Sequence, residues 1–231
     1  MELHLHPDMS VQKLAIGEER APLLVIDNFV AGAEQLIDAA CRRRFIIGAR
    51  MFPGVRAKAP LLYQRFLVEK LQSMLFEYFQ LRGNTLSFSM CHYSLVTTPA
   101  AELAPRQRIP HIDSVNGNGL ATIHYLFRGA LGGTAFYRHR KTGYEFVDAA
   151  RQAEYLSALD GEINGDSAPV AAYINGDTEL FERVALEDGV FNRLLIYRRN
   201  SLHSGSIEAN FVPDPNPLTG RLSINSFIDV Q

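Results

Sequence analysis

Three side chains of this sequence could bind one metal ion. His111 and Asp113 lie two positions apart, and His203 lies in a separate segment far along the chain. In a β-strand, residues i and i+2 point to the same face, so His111 and Asp113 can reach one ion while Ile112 faces away. A ligand from a distant strand would complete the set. We predict that His203 is this ligand, and that His111, Asp113 and His203 form one metal site.

The predicted ligand set defines the chemistry that the site could support. Two imidazoles and one carboxylate on one octahedral face leave positions open for a co-substrate and oxygen, as expected of a non-heme Fe(II) oxygenase. Imidazoles bind metal in their neutral form, so metal affinity should fall as the histidines become protonated. A lone histidine is more often a core or surface residue. The prediction therefore depends on the residues that accompany the three ligands.

A guanidinium, a hydroxyl and a phenol accompany the predicted ligands. Arg221 and Ser223 alternate with the apolar Leu222 and Ile224, so a strand would place the two polar side chains on one face. A buried guanidinium is costly unless it is paired, and a dicarboxylic ligand would pair with its fork of donors. Ser223 could add a hydroxyl donor, and Tyr93 could reach the same carboxylate with its phenol. Taken singly, Arg221 would be an ion-paired residue and Tyr93 a core aromatic.

The composition favours one globular domain. The chain has 231 residues, of which 47% are hydrophobic, enough for one substantial core. A formal net charge of −2 argues against a nucleic-acid partner. Cys41 and Cys91 have no C-x-x-C spacing, which indicates neither a disulfide framework nor a cysteine zinc site and favours a cytoplasmic location. The sequence shows no secretory signal and no apolar run near the roughly 20 residues of a membrane-spanning helix, so we expect no membrane partner.

The elements that must position these residues follow from the hydrophobic pattern. Residues 23–26 form an apolar run that predicts a strand, and residues 33–45 have helical composition and spacing. Apolar residues recur at three and four positions over residues 61–81, which predicts an amphipathic helix that covers a sheet. Further strands are predicted over residues 85–96, 120–127, 134–137, 191–197 and 222–230, and a further helix over residues 149–159.

The β-rich second half, with its Gly and Pro turns, indicates a sandwich or a barrel. We predict a mainly β fold with supporting helices (α+β), a double-stranded β-helix or jelly-roll barrel, in a single domain over residues 1–231. Residues 20–82 would supply an N-terminal strand and the helices packed on one sheet, and residues 84–231 the β-helix core. Within this core, the more polar residues 141–189 are interpreted as an insertion over one mouth of the barrel.

Several segments resemble the Fe(II)/2-oxoglutarate-dependent dioxygenases, and within them the prolyl 4-hydroxylase-like branch. Residues 22–29 (PLLVIDNF) resemble the opening strand of that branch, and residues 91–93 (CHY) followed by 111–113 (HID) resemble its tyrosine strand and H-x-D motif. Residues 132–136 (GGTAF) resemble its G-G-x-T-x-F turn, and residues 192–197 (NRLLIY) the strand before the distal histidine. The spacing from His203 to Arg221 is longer than in that branch, which often has lysine. Related branches use arginine with a serine two positions later, as Ser223 stands here.

The resemblance implies cofactors and roles for these residues. The three predicted ligands would bind Fe(II), and 2-oxoglutarate would chelate the iron while Arg221, Ser223 and Tyr93 hold its C5 carboxylate. O2 would take the remaining position, with ascorbate as a reductant. A small-molecule or peptidyl substrate would be oxidised with release of succinate and CO2, and hydroxylation is the implied outcome. Halogenating members replace the carboxylate ligand by a small residue, so Asp113 disfavours halogenation.

Other interpretations stay open. A cupin-like metalloenzyme without oxidative chemistry could use the same ligands with zinc or manganese, although the pair of Arg221 and Ser223 argues against it. A dioxygenase fold could also serve as a catalytically silent binding module. Of the remaining histidines, His124 is interpreted as a core residue. The basic residues around His139 are interpreted as a solvated rim that would favour an acidic substrate if it faced the barrel mouth.

Overall fold

The computed structural model describes residues 2–47, 52–163 and 169–231, which form two antiparallel β-sheets and three α-helices. The strands are β1 (Ser10–Ile16), β2 (Ala21–Asp27), β3 (Ile46–Ile47), β4 (Gly54–Lys58), β5 (Leu86–Val96), β6 (Leu120–Tyr125), β7 (Gly133–His139), β8 (Phe181–Asp188), β9 (Leu194–Arg198), β10 (His203–Ser206) and β11 (Leu222–Val230). The helices are α1 (Glu34–Cys41), α2 (Leu61–Phe79) and α3 (Gln152–Ile163). None of them combines the length and apolar character that a membrane-spanning helix needs.

The two sheets differ in size and order. The larger has eight strands in the order β1-β2-β9-β6-β11-β5-β4-β3, and the smaller has three in the order β10-β7-β8. Every pairing between these strands is antiparallel. Neither sheet closes on itself within the described residues. The mainly β class with supporting helices is therefore confirmed.

The helices α1 and α2 cover one face of the large sheet. The buried residues of α2 recur at three and four positions, which makes an apolar stripe along the helix: Tyr63, Phe66, Leu67, Leu71, Leu75 and Phe79. This stripe packs in one cluster with Leu24 and Ile26 of β2 and with Leu222 and Ile224 of β11. Helix α2 thus confirms the amphipathic helix predicted over residues 61–81.

The small sheet packs on the other face of the large sheet. Phe136 of β7 joins Val25, Tyr125 and Tyr197 of the large sheet in a second apolar cluster. Tyr137, the next residue of β7, points the opposite way and packs with residues of α3 in a third cluster. The layers are therefore α1 and α2, the large sheet, the small sheet and α3. The space between the two sheets is where a ligand cavity can form.

Most predicted strands correspond to observed ones, but four observed strands were not predicted. These are β1, β3, β4 and β8, and three of them lie at the edge of a sheet. Strand β8 lies within residues 141–189, the segment interpreted as an insertion, and pairs with β7 along its length. The segment around His111 is also different from the prediction. It forms one isolated bridge, between His111 and His203, rather than a strand.

Candidate metal centre

The backbone brings the three predicted metal ligands together. The His111 amide donates to the His203 carbonyl at 2.9 Å, and the His203 amide donates back to the His111 carbonyl at 3.0 Å. The Asp113 amide then donates to the Arg199 carbonyl at 2.8 Å, which fixes the turn after His111. His203 is itself the first residue of β10 and pairs with Phe136 of β7. These backbone hydrogen bonds bring His111 and His203 together, although the two residues lie more than ninety positions apart along the chain.

The side chains of His111, Asp113 and His203 converge. One possible ligand atom from each lies within 4.8 Å of the others. The Nε2 atom of His203 is 3.6 Å from Asp113 Oδ2, and Nε2 of His111 is 3.8 Å from Asp113 Oδ1. These distances are too long for hydrogen bonds. They leave room for an ion between the three side chains.

Asp113 carries the clearest sign that a cation belongs at this position. Its Oδ2 atom is buried and has no hydrogen-bond partner among the described residues. An unpaired buried carboxylate oxygen is costly, since it has lost its water without gaining another partner. A divalent ion between the three side chains would satisfy it. The residues present therefore fit a metal with two nitrogen ligands and one oxygen ligand.

His203 is oriented for metal binding by its second ring nitrogen. Nδ1 lies 3.0 Å from the carbonyl oxygen of Ser201, so Nδ1–H donates there and Nε2 keeps a free lone pair directed toward Asp113. Metal-binding histidines are commonly fixed in this way through the nitrogen that does not face the metal. His203 is 5% exposed, and its ring packs against Tyr197 at a centroid distance of 4.7 Å.

The electrostatics of the site keep His111 neutral. Burial lowers the pKa of His111 to about 4, and the neighbouring His203 acts in the same direction, while Asp113 opposes the shift. The neutral imidazole is the form that binds a metal ion. His111 therefore needs no deprotonation before it can act as a ligand near neutral pH.

A cavity of about 330 Å³ opens next to the three ligands. Both Arg221 and Ser223 line it, as the alternation along β11 predicts. The Arg221 guanidinium is buried, and its Nε and Nη2 atoms donate to the carbonyls of Leu131 and Gly133, each at 2.8 Å. Burial lowers the pKa of Arg221. Within the described part of the chain no carboxylate pairs with this guanidinium, so it can still receive an anionic ligand.

Ser223 already has a partner within the cavity. Its hydroxyl donates to Asn225 Oδ1 at 2.7 Å. A hydroxyl can rotate and also has lone pairs, so Ser223 and Asn225 together offer a small polar patch beside Arg221.

The placement predicted for Tyr93 is wrong. Tyr93 is fully buried in the cluster under α1 and α2, on the opposite face of the large sheet from the cavity. Its hydroxyl donates to the Leu36 carbonyl of α1 at 2.8 Å, and burial raises its pKa. The residue is a core tyrosine with a satisfied hydroxyl, so it cannot contact a ligand in the cavity.

The remaining histidines and the basic cluster lie apart from the three ligands. His124 is buried in the core, between the Tyr63 hydroxyl at 3.2 Å and Asn192 Oδ1 at 3.1 Å. His139 is buried against Glu162, with Nε2 2.8 Å from a carboxylate oxygen. Arg138 pairs with Glu145 at 2.6 Å and does not line the cavity, so the basic cluster gives no charge to the cavity mouth.

Sequence reasoning missed two cations of the cavity, Arg56 and Arg106. Arg56, on β4, lines the cavity together with Phe52 and Met90. Strand β4 has five residues, and two of them are charged, so its pattern does not indicate a strand with an inward face. The signal that identifies Arg56 is its register with the neighbouring strands, which only the folded structure gives.

The sequence matches one protein family, and the structure is similar to solved structures. The model of one family, described as a family of unknown function (DUF6445), matches residues 7–228. A comparison with curated proteins finds no match. Among solved structures, the non-heme α-ketoglutarate-dependent epimerase SnoN from nogalamycin biosynthesis is similar, with a TM-score of 0.51, 12% identity, and coverage of 91% of this chain and 78% of SnoN.

A second solved structure has the same fold. HygX from Streptomyces hygroscopicus, with nickel, 2-oxoglutarate and hygromycin B bound, gives a TM-score of 0.53 at 9% identity, with coverage of 91% of this chain and 84% of HygX. At such identities the likeness shows a shared fold, which is the fold of 2-oxoglutarate-dependent enzymes.

Proposed function

We propose that this chain, which belongs to the DUF6445 family of unknown function, is an Fe(II)- and 2-oxoglutarate-dependent oxygenase. The proposal is based on the residues of the candidate site. The observation that carries the proposal is that one cavity contains both an unpaired carboxylate oxygen and a guanidinium that lacks an ion-pair partner among the described residues. In the part of the chain that the structure describes, Asp113 has a buried oxygen without a hydrogen-bond partner beside two histidines, and no carboxylate pairs with the buried Arg221 guanidinium. A metal ion and a dicarboxylate are the ligands that would complete both.

Each residue then has a defined task. His111, Asp113 and His203 would hold the metal on one side, and His203 keeps its orientation through the Ser201 carbonyl. Arg221 would bind the far carboxylate of 2-oxoglutarate with its remaining donors, and Ser223 would contribute its hydroxyl. The bound iron and its co-substrate would supply the oxidation by O2. The protein would supply position, charge and a cavity from which bulk water is largely excluded.

The fold supports the same proposal. Both similar structures have the fold of enzymes that use 2-oxoglutarate, and in this chain the three ligands and Arg221 lie around the space between two antiparallel sheets. We infer that the two sheets correspond to the walls of a double-stranded β-helix and that the chain is one domain of this kind. We also propose that the protein belongs to the prolyl 4-hydroxylase-like branch, and this part of the proposal is based on the sequence motifs alone.

The outcome of the reaction is proposed to be hydroxylation of an amino acid, a peptidyl residue or a small metabolite. The retained carboxylate Asp113 favours this outcome over halogenation. One similar structure is an epimerase, so the product has to be identified by mass. Hydroxylation adds the mass of one oxygen atom, whereas epimerisation leaves the mass unchanged.

The first test is an anaerobic difference spectrum of the purified protein with Fe(II), to which 2-oxoglutarate is added. A visible metal-to-ligand charge-transfer band is expected in the parent protein. His203→Ala should abolish the band, and Arg221→Gln should require far more 2-oxoglutarate to produce it. Matched controls are His6→Ala, a histidine outside the three-ligand group, and Arg140→Gln, an arginine that pairs with Asp177 at 3.3 Å.

The alternatives give different results in the same experiment. A folded protein that binds Fe(II) but shows no band with 2-oxoglutarate would be a non-oxidative metalloenzyme or a silent binding module. A folded protein in which the band survives in His203→Ala would refute the ligand assignment.

A further inference from the structure

The cavity contains a second guanidinium that the proposed function does not use. Arg56 of β4 lines the cavity, and its Nε atom is buried without a hydrogen-bond partner among the described residues. Its Nη1 atom contacts the Met90 sulfur at 3.5 Å, which is a weak acceptor. Unlike Arg138 or Arg193, which pair with carboxylates, Arg56 has no ion-pair partner in the described residues. A fork of strong donors is thus left without a strong acceptor.

The surroundings of Arg56 hold the guanidinium in one orientation. Its Cζ atom lies 4.2 Å from the centroid of the Phe52 ring, so one face of the group is covered by a cation–π contact. Burial lowers the pKa of Arg56, and the charge of Asp113 opposes this shift. Arg56 lines the same cavity as the three predicted metal ligands. A covered face and free edges favour an acceptor that approaches in the guanidinium plane.

Arg56 and the Arg221 region are separate binding positions. Strand register places Arg56 opposite Ser94 of β5, and Ser94 opposite Ser223 of β11. Neighbouring strands are about 4.8 Å apart. The Cα atoms of Arg56 and Ser223 are therefore two strand spacings, about 10 Å, apart, and both side chains lie on the same face of the sheet. A 2-oxoglutarate carboxylate held by Arg221 and Ser223 would therefore leave Arg56 free for another molecule.

The charges in the cavity also call for one further anion. A divalent metal and two guanidinium groups carry more positive charge than Asp113 and a dianionic 2-oxoglutarate can balance. The excess is one positive charge, and it is located on Arg56, which is partly buried. One monoanionic group beside Arg56 would make the loaded cavity neutral.

We propose that Arg56 binds a carboxylate of the primary substrate, so that the substrate class is a carboxylic acid whose remaining part is mostly apolar. This inference rests on the proposed function for the role of the metal and of Arg221. A carboxylate matches one planar fork of donors, whereas a phosphate dianion would need a second cation. The other cations lining the described cavity are Arg221 and Arg106, and Arg106 pairs with Asp160 at 3.0 Å. The apolar part would contact Phe52, Met90 and Phe227.

The test compares acids with their neutral amides. The protein is loaded with Zn(II), which replaces Fe(II) without oxygen chemistry, and with 2-oxoglutarate. Saturation-transfer NMR and calorimetric titration are then run with three pairs: 3-phenylpropanoate and its amide, hexanoate and its amide, and N-acetyl-leucine and its amide. At least one acid should bind roughly tenfold to hundredfold more tightly than its amide, the effect of one charge-assisted contact.

Variants assign the preference to Arg56. Arg56→Gln should abolish the preference for acid over amide, and Arg56→Lys should restore part of it, since lysine keeps the charge but not the fork. Arg106→Gln is the matched control, because Arg106 lines the same cavity but is already paired. The anaerobic Fe(II) spectrum should show that Arg56→Gln binds 2-oxoglutarate as the parent does.

Three results would overturn the inference. The first is a parent protein that binds Fe(II) and 2-oxoglutarate but shows no preference for any acid over its amide. The second is an acid preference that survives in Arg56→Gln, and the third is a loss of 2-oxoglutarate binding in Arg56→Gln that Arg221→Gln does not show. If the Fe(II) spectrum itself fails, the proposed function fails, and the acid titrations on metal-free protein still test Arg56 separately.

A stability measurement tests whether Arg56 has a purely structural role. Arg56→Met in the ligand-free protein removes a partly buried charge that has no ion-pair partner among the described residues, but keeps an apolar side chain over Phe52. The variant should unfold at the same or a higher denaturant concentration than the parent, as expected for a binding residue. A clearly lower midpoint would show that Arg56 stabilises the fold and would contradict the inference.

Discussion

The two sides of the eight-stranded sheet both bury titratable groups, and these groups differ in their hydrogen-bond partners. On the helix side, His124 has a partner for each ring nitrogen, the Tyr63 hydroxyl and Asn192 Oδ1. On the cavity side, Asp113 Oδ2 and Arg56 Nε are buried without partners. Because unpaired buried polar groups are costly, they persist where a ligand completes them. The helix side therefore stabilises the fold, and the cavity side is built to bind.

Two histidines make the same contrast at the level of single residues. Burial lowers the pKa of both His111 and His124 to about 4. His124 has a hydrogen-bond partner for each ring nitrogen, while the His111 Nε2 atom lies 3.8 Å from Asp113 Oδ1, too far for a hydrogen bond. A lowered pKa alone does not distinguish a core histidine from a metal ligand. The hydrogen-bond partners of the ring nitrogens make this distinction.

The largest expected effect tests the cavity side. Asp113→Ala should weaken metal binding at least a hundredfold, because it removes one of three ligands and the only negative charge among them. In the metal-free protein the same change should cost little stability or raise it, since an unpaired buried carboxylate is removed. Isothermal titration with Fe(II) or Ni(II) measures the first effect and urea unfolding the second. Asp113→Ala that unfolds without metal would show that the carboxylate is part of the structural network.

The next largest expected effect is a pH dependence of stability, caused by His124 on the helix side of the sheet. The folded-state pKa of His124 is about 4, against about 6.5 when unfolded, so the unfolded protein binds the extra proton between these values. Stability is therefore fully present above pH 6.5 and is lost as the pH falls toward 4, by about 3 kcal/mol from this residue. Urea unfolding of metal-free protein at several pH values measures it.

His124→Gln is the matched control for this pH dependence. Glutamine can keep hydrogen bonds to its neighbours but does not titrate, and the contribution of His111 is common to both proteins. The difference between parent and variant should shrink as the pH falls from 6.5 to 4. A difference that stays constant over this range would mean that His124 is protonated in the folded protein.

A smaller effect is expected at Asn192, which connects β9 to the helix side. Its side-chain amide donates to the Val30 carbonyl at 2.9 Å, and its Oδ1 accepts from the Val30 amide at 3.1 Å. Asn192 has a φ of +63°, a conformation that glycine adopts freely. Asn192→Gly should cost about 2 kcal/mol in buried hydrogen bonds, and Asn192→Ala about 1 kcal/mol more through backbone strain. Metal affinity should not change in either variant, and urea unfolding with metal titration checks both.

The sequence predicted the large elements because these depend on local patterns. The apolar stripe of α2 and the alternation along β11 are visible in the printed residues. Strands β1 and β8 were missed because they are edge strands with polar and charged residues, which is how edges avoid further pairing. The bridge between His111 and His203 joins segments that look unrelated in sequence.

Register explains why Tyr93 and Arg56 could not be assigned from sequence. Tyr93 pairs with Ile224, and Arg56 is aligned with Ser94 and through it with Ser223. Residues directly opposite each other share a face, so Tyr93 faces the helices with Ile224 while Arg56 faces the cavity with Ser223. A shift of one residue in the pairing of β5 with β11 would reverse the face of Tyr93. No local pattern in residues 86–96 fixes that shift.

The smallest expected effect comes from Tyr93, which was predicted to contact a ligand in the cavity but lies on the helix side of the sheet. Tyr93→Phe removes a hydroxyl that donates to the Leu36 carbonyl and leaves the ring in the core. The expected cost is about 1 kcal/mol of unfolding free energy, the net value of one buried hydrogen bond. The affinity for 2-oxoglutarate should equal that of the parent, in contrast to Arg221→Gln. A Tyr93→Phe protein of normal stability that binds 2-oxoglutarate more weakly would return Tyr93 to the cavity and would break the division between the two sides of the sheet.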